Sequence, residues 1–301
     1  MPTLEEIIST TRHRLLGVGS YHDRSCELQV DLDEGSPTIV VDAIPGGKGG
    51  QIIEIGLEKI RIKRADEATN TMTAYAFGRG YDASLQSSHA VGSEVTFSPV
   101  VPAMTIAREV NSVLDSLYPL LYAVRTLDAV YSHTPETPFV LPDEAVDVVA
   151  VFRADTNGDG WSRVDEWRFE PDSGQGFVAA IPSGRNVRVV YATRIGSFDL
   201  SDPNVIDADF AVVTGLESRV SNLLGMGVAA RLAPYYDMGK LGSTGAEARV
   251  DGGGKSAGAG VNVADRFYQE FQSSLDQEAS VLHKQHPLRL HREKIGYRYS
   301  W

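Results

Sequence analysis

The sequence predicts an α+β fold in which a small antiparallel β domain and a β-sandwich-like module are combined with amphipathic helices. Three observations predict it. Apolar residues recur at helical spacing in four separated stretches. Between the first two, residues 26–97 break into short β-branched runs divided by Gly, Pro and Asp turns. A second β-rich texture then returns over 140–195, ahead of the last two helical stretches. The organisation that follows is a first domain at 1–125, a sandwich-like module at 126–200 and a helical region at 201–301.

The first helix is expected over 3–16. Thr3 followed by Glu6 is a capping box, in which hydroxyl and carboxylate satisfy the free amides of a helix start, and Leu4, Ile7, Ile8, Thr11 and Leu15 share one face. Strands are read at Glu27–Val30, Thr38–Val41, Gln51–Ile55, Lys59–Ile62 and Thr71–Phe77. The second helix, over 104–118, is marked by Ile106, Val110, Val113, Leu114 and Leu117, with Pro119 to stop it. In the second β region the runs are 145–152, 166–170, 176–181 and 187–192. A third helix is expected over 209–233 despite Gly225 and Gly227, and a fourth over 265–284, on Phe267, Phe271, Leu275, Ala279 and Leu282. Between them, residues 242–260 have the composition of a flexible loop.

Composition excludes several function classes. The formal net charge of −12 disfavours nucleic-acid binding as a main role, because gripping a phosphate backbone needs a surplus of Lys and Arg. Cys26 is the only cysteine, so no internal disulfide or thiolate cluster forms, which fits a reducing compartment. The N-terminal segment is acidic where a signal peptide is basic, and no run approaches about 18 apolar residues, so neither export nor a membrane span is expected.

Catalytic constellations are missing as well. The histidines form no HExxH pattern, and no Gly-x-Ser-x-Gly accompanies them. Gly254-Lys255-Ser256 ends like a phosphate loop, but Arg249 stands where its first glycine belongs. Cys26, at a strand start, reads as a structural thiol. No enzyme activity and no cofactor are expected.

Two stretches carry binding chemistry. In DTNGDGWSRVDE, Asp155, Asn157 and Asp159 stand at the first, third and fifth positions of a calcium loop, Gly160 at the sharp turn and Glu166 at the closing position. The flanks favour an acidic hairpin instead. They are β-branched or alternating rather than helical, Asn-Gly and Asp-Gly are hairpin pairs, and Ser162 replaces an expected apolar residue. The second stretch is the C-terminus, where Lys284, Arg289, Arg292, Lys294 and Arg298, finished by Trp301, make a basic, aromatic tail on an acidic chain. Cations suit a helix C-terminus, but Tyr, Trp and Arg also anchor interfaces. The tail is therefore a candidate for docking a partner.

Two segments go further. RGYDASLQSSHAVGSEV, Arg79 to Val95, and IAREVNSVLDSLYP, Ile106 to Pro119, resemble a class of tailed-bacteriophage (siphophage) virion proteins, in which an RG-x-x-GT-x-x-x-x-H-x-x-G-x-x-V-like hairpin precedes a helix ending in LYP. The similarity covers about residues 50–121, and Ala83-Ser84 stands where Gly-Thr is usual. It implies a structural neck protein: a head-to-tail connector or adaptor subunit, ring-forming and homo-oligomeric. Its partners would be the portal protein and tail or neck proteins, and genomic DNA would pass without sequence-specific binding. The motif implies no catalytic residues. A tail terminator or tail-tube-associated protein fits the same resemblance, and a calcium-dependent surface- or carbohydrate-binding β protein is the reading from outside it.

Overall fold

The computed structural model describes residues 1–16, 24–131, 139–155, 160–165, 167–170, 175–178, 185–235 and 259–288. It is an α+β protein whose sheets are antiparallel. The chain divides into two compact units: Met1–Val113, Phe198–Phe210 and Ser218–Gln272 form one, and Leu114–Ser197, Ala211–Glu217 and Ser273–Trp301 the other.

In the first unit α1 (Leu4–Leu16) begins as the capping box requires, with Glu6 N donating to Thr3 Oγ1 at 3.3 Å. Glu5 and Glu6 lie in its first turn and His13 and Arg14 in its last, the arrangement that suits a helix dipole. Strands β1 (Arg24–Glu27), β2 (Thr38–Val40), β3 (Ile52–Ile55), β4 (Glu58–Asp66), β5 (Thr71–Ala74) and β6 (Glu94–Phe97) pair in the order β1-β6-β3-β4-β5-β2. The two edges of this sheet meet. Leu28 and Val41, just beyond β1 and β2, form an antiparallel bridge, with Gln29 N donating to Val40 O at 2.9 Å and Asp42 N to Glu27 O at 3.0 Å. The sheet is therefore closed into a small barrel, and closure leaves no open edge to aggregate.

Period-two alternation fills the interior. Cys26, Ile39, Ile53, Ile55, Ile60, Ile62, Met72, Val95 and Phe97 are all buried in one cluster. Outside the barrel, Glu54 on β3 is buried; its carboxylate accepts from Arg12 Nη2 of α1 and from the backbone N of Ala103 at 2.8 Å. Ala103 opens α2 (Ala103–Leu117), so one carboxylate ties the barrel to one helix and caps another. Burial pushes the Glu54 carboxyl up, with Arg12 opposing.

The expected helix over 209–233 is broken. α3 (Phe210–Thr214) ends at Gly215, a 3-10 turn spans Ser218–Val220, and α4 runs Ser221–Leu232. Gly215 has φ +72°, the left-handed conformation that stops a helix, and a Cβ there would lie 2.7 Å from Ala123 Cβ. The periodicity on either side is genuine, but the glycine divides it. Within α4, Gly225 and Gly227 admit neighbours. A Cβ at Gly227 would stand 2.8 Å from the Phe271 ring and 3.1 Å from Val113. Phe271 belongs to α5 (Ala259–Gln285), which starts within the expected loop of residues 242–260 and covers the expected 265–284. Residues 242–258 lie outside the described residues.

The second unit holds β7 (Ala123–Tyr131), β8 (Phe139–Val140), β9 (Ala145–Ala154), β10 (Trp161–Val164), β11 (Trp167–Glu170), β12 (Gln175–Val178) and β13 (Arg185–Thr193). They form a four-stranded sheet, β10-β9-β13-β7, and a three-stranded one, β11-β12-β8. Val148, Val151, Val187, Val189 and Tyr191 from the first sheet share a buried cluster with Phe169 from the second and with Leu141, the packing of a sandwich. β7 runs across the expected boundary between residues 125 and 126. Among the described residues, no helix is long and apolar enough to cross a membrane.

Candidate functional site

Glu58 opens β4 on the same face as Ile60 and Ile62, which puts a carboxylate at the barrel's interior face. Its side chain is 0% exposed. Such a burial is tolerated only with full compensation, and the segment Arg79–Ser93 supplies it. Arg79 donates from Nε to Oε1 at 2.7 Å and from Nη2 to Oε2 at 2.9 Å, a two-point fork. Gly80 N donates to Oε1 at 2.9 Å, Ser87 N to Oε2 at 3.3 Å, and His89 Nε2 lies 2.8 Å from Oε2. Burial alone pushes the Glu58 carboxyl up, but hydrogen bonds from His89, Arg79 and Gly80, with the Arg79 charge, hold it below the usual range.

Arg79 also closes the end of the barrel. Its Nη1 donates to the carbonyls of Asp33 (3.1 Å) and Ser36 (2.9 Å), and its Nη2 to that of Ser87 (2.5 Å). Leu32 and His89 bridge beside it. Both oxygens of Glu58 are committed to protein donors, so this carboxylate is placed to fix loops and not to bind a metal or move a proton.

The glycines of the same segment serve the turn. Gly80 (φ +61°) and Gly92 (φ +84°) are left-handed. Ala83 is left-handed too, at φ +57°, a conformation that favours glycine. Ser84 Oγ accepts from Lys59 N at 2.9 Å and donates to Tyr81 O at 2.9 Å, a role that a threonine hydroxyl fills equally.

On the barrel's outer face, Arg61 lies against two rings, 5.3 Å from the centroid of Tyr75 and 5.7 Å from that of Tyr81. Phe77 is 95% exposed. Its turn is nonetheless pinned: Gly78 N donates to Tyr75 O at 2.9 Å, Arg61 N to Gly78 O at 2.8 Å and Tyr75 N to Arg61 O at 3.1 Å.

Of the calcium-pattern residues, Asp155 stands at the end of a hairpin. Asp155 N donates to Gly160 O at 2.9 Å and Trp161 pairs with Ala154, so part of the twelve-residue pattern, Trp161–Val164, lies in the ladder with β9. The Asp155 carboxylate accepts from Ser162 Oγ. Asn157, Asp159 and Glu166 lie outside the described residues. Among those described, no cluster of three or more His, Cys, Asp or Glu is arranged to hold a metal.

Of the tail residues, Lys284 is exposed near the end of α5, and Arg289, Arg292, Lys294, Arg298 and Trp301 lie outside the described residues. The root of the tail is fixed, which the sequence reading missed. Leu288 is buried with Tyr122, Val149 and Ala192, Tyr122 OH donates to His286 O, and the Tyr122 and His283 rings stack at 5.8 Å. Burial pushes the Tyr122 hydroxyl up to about 12, helped by Asp147. The available signal was Leu288 itself, a large apolar residue in a basic run. Cys26 is buried in the barrel, and burial, with Asp42 adding to it, raises its thiol to about 12, so it is held as an unreactive thiol.

The chain matches no protein-family model, and no curated protein matches it.

Proposed function

We propose that the chain is a structural virion protein of a tailed phage: a ring-forming head-to-tail adaptor that links portal to tail and leaves a passage for DNA. The observation that carries this reading is the use of the RGYDASLQSSHAVG segment. Its Arg79 and His89 are spent on the buried Glu58, and its glycines on turn geometry. The segment on which the resemblance rests is thus architectural, as a subunit of an assembly requires and a catalytic loop does not. The second resembling segment forms α2, which ends at Leu117 ahead of Pro119.

Charge supports the same reading. An acidic chain whose basic tail leaves from a fixed root, Leu288, is suited to meeting differently charged neighbours at its two ends. In this reading Lys284, Arg289, Arg292, Lys294, Arg298 and Trp301 dock on the portal or on an adjacent copy. The test is to delete residues 289–301, leaving the buried Leu288 in place, and to measure capture by portal rings. Loss of capture with unchanged thermal stability is expected, and undiminished capture would refute the docking role.

A further inference from the structure

We propose that the Tyr75–Gly78 turn, together with Arg61 and Tyr81, is the surface by which one copy of this chain docks on the acidic Asp199–Asp207 segment of the next. The inference rests on the ring reading and names the contact that builds the ring.

Phe77 is the first argument. An exposed aromatic on a loose loop means little, but this one is carried by a turn bonded at two points to β4 and closed by a third bond within itself. The turn is also tight by construction: a Cβ at Gly78 would stand 2.5 Å from Arg61 O and 2.7 Å from Tyr75 N. A rigid turn holds Phe77 in water at no gain to the fold, and it loses little entropy when a partner covers the ring. Arg61, resting on Tyr75 and Tyr81, completes a cluster of the residue types that dominate interface energetics.

Charge selects the occupant. Arg61 and Lys63 alternate with Ile60 and Ile62, so both cations face outward from β4, on a chain of net charge −12. The complement exists on the chain itself. Asp199, Asp202 and Asp207 are exposed along a segment without a single Lys or Arg. Two of the carboxylates are positioned: Asp199 accepts from Ser201 N at 3.0 Å, and Asp202 from Asn204 N at 2.9 Å. A basic aromatic patch meeting a different, acidic patch on an identical copy is a head-to-tail contact, the type that closes into rings.

Sedimentation velocity tests it on the full chain, alone and with portal rings, comparing the native protein with Phe77→Ser, Arg61→Glu and the double variant Arg61→Glu/Asp202→Lys. Circular dichroism serves as the folding control, since Phe77 and Arg61 lie outside the core. Assembly of the native chain, self-association about ten-fold weaker or worse in both single variants, and recovery in the charge-swapped double variant are expected. Single variants that assemble like the native chain would overturn this contact and leave the ring reading standing. A native chain that assembles in neither setting would overturn both.

Discussion

Arg79 grips Glu58 with two parallel hydrogen bonds, Nε to Oε1 at 2.7 Å and Nη2 to Oε2 at 2.9 Å, at the end of a closed barrel where the carboxylate has no access to solvent. One ion pair thereby holds three loops, because the same guanidinium also reaches the carbonyls of Asp33, Ser36 and Ser87. The geometry makes Arg79 the keystone of the hairpin and makes the fold sensitive to acid.

Replacing Arg79 by Lys keeps the charge and loses the fork. A single ammonium cannot serve both oxygens of Glu58 and three carbonyls, so the variant is expected to lose about 3 kcal/mol, the range for an impaired buried pair. Because the Glu58 carboxyl is held low in the folded state, its contribution is complete above the ordinary glutamate range. It is lost as pH falls from that value through the lower folded one. Thermal melts between pH 7 and 3 should show a steeper acid limb in the native protein than in Glu58→Gln. Parallel limbs would refute the assignment.

Ala83→Gly should stabilise. Ala83 is exposed at φ +57°, a conformation costing an alanine about 1–2 kcal/mol, whereas glycine's extra freedom in the unfolded chain costs about 0.4–1 kcal/mol. The first term wins, leaving a gain of about 0.5–1 kcal/mol, readable as a higher denaturant midpoint. A drop would mean that the turn is set by something other than this strain.

Gly227→Ala pits helix propensity against packing. Alanine gains about 1 kcal/mol in a helix interior, but its Cβ would press on the Phe271 ring at 2.8 Å and on Val113 at 3.1 Å. Overpacking of this kind costs about 1–3 kcal/mol, so a net loss of about 1 kcal/mol is expected. Pairing it with Phe271→Leu should recover part of that loss, and purely additive effects would show that the two sites do not press on each other.

Acid should also loosen the root of the tail. Burial pushes His286 below its ordinary value, with Glu217 opposing. The neutral form is favoured in the folded state, so stability is full above about pH 6.5 and falls as the pH drops through that value towards the folded one. Hydrogen exchange at residues 283–288 should accelerate between pH 7 and 5. Titration of His286 at or above its ordinary value, followed by NMR, would contradict this.

Local signals in the sequence were legible and distant ones were not. The Thr3–Glu6 box and the spacing of α1, α2 and α5 are interactions within a few residues, so the sequence displays them directly. The Glu58 site is built from partners 21 and 31 positions away, and a strand pattern does not say which strand lies beside it. One clue was available: Glu58 falls on the Ile60 and Ile62 face, and a carboxylate on an apolar face demands a cation. Barrel closure through Leu28 and Val41 is hidden for the same reason, since it depends on how far the sheet curls. The break at Gly215 was concealed by apolar periodicity on both sides of it, although glycine is the residue that permits the left-handed turn.

The most direct test of the account is the mass and shape of the purified chain, by light scattering and negative-stain microscopy, alone and mixed with portal rings. A closed ring, or a monomer that becomes one on the portal, is the predicted result. A stable monomer that ignores the portal would contradict the adaptor assignment.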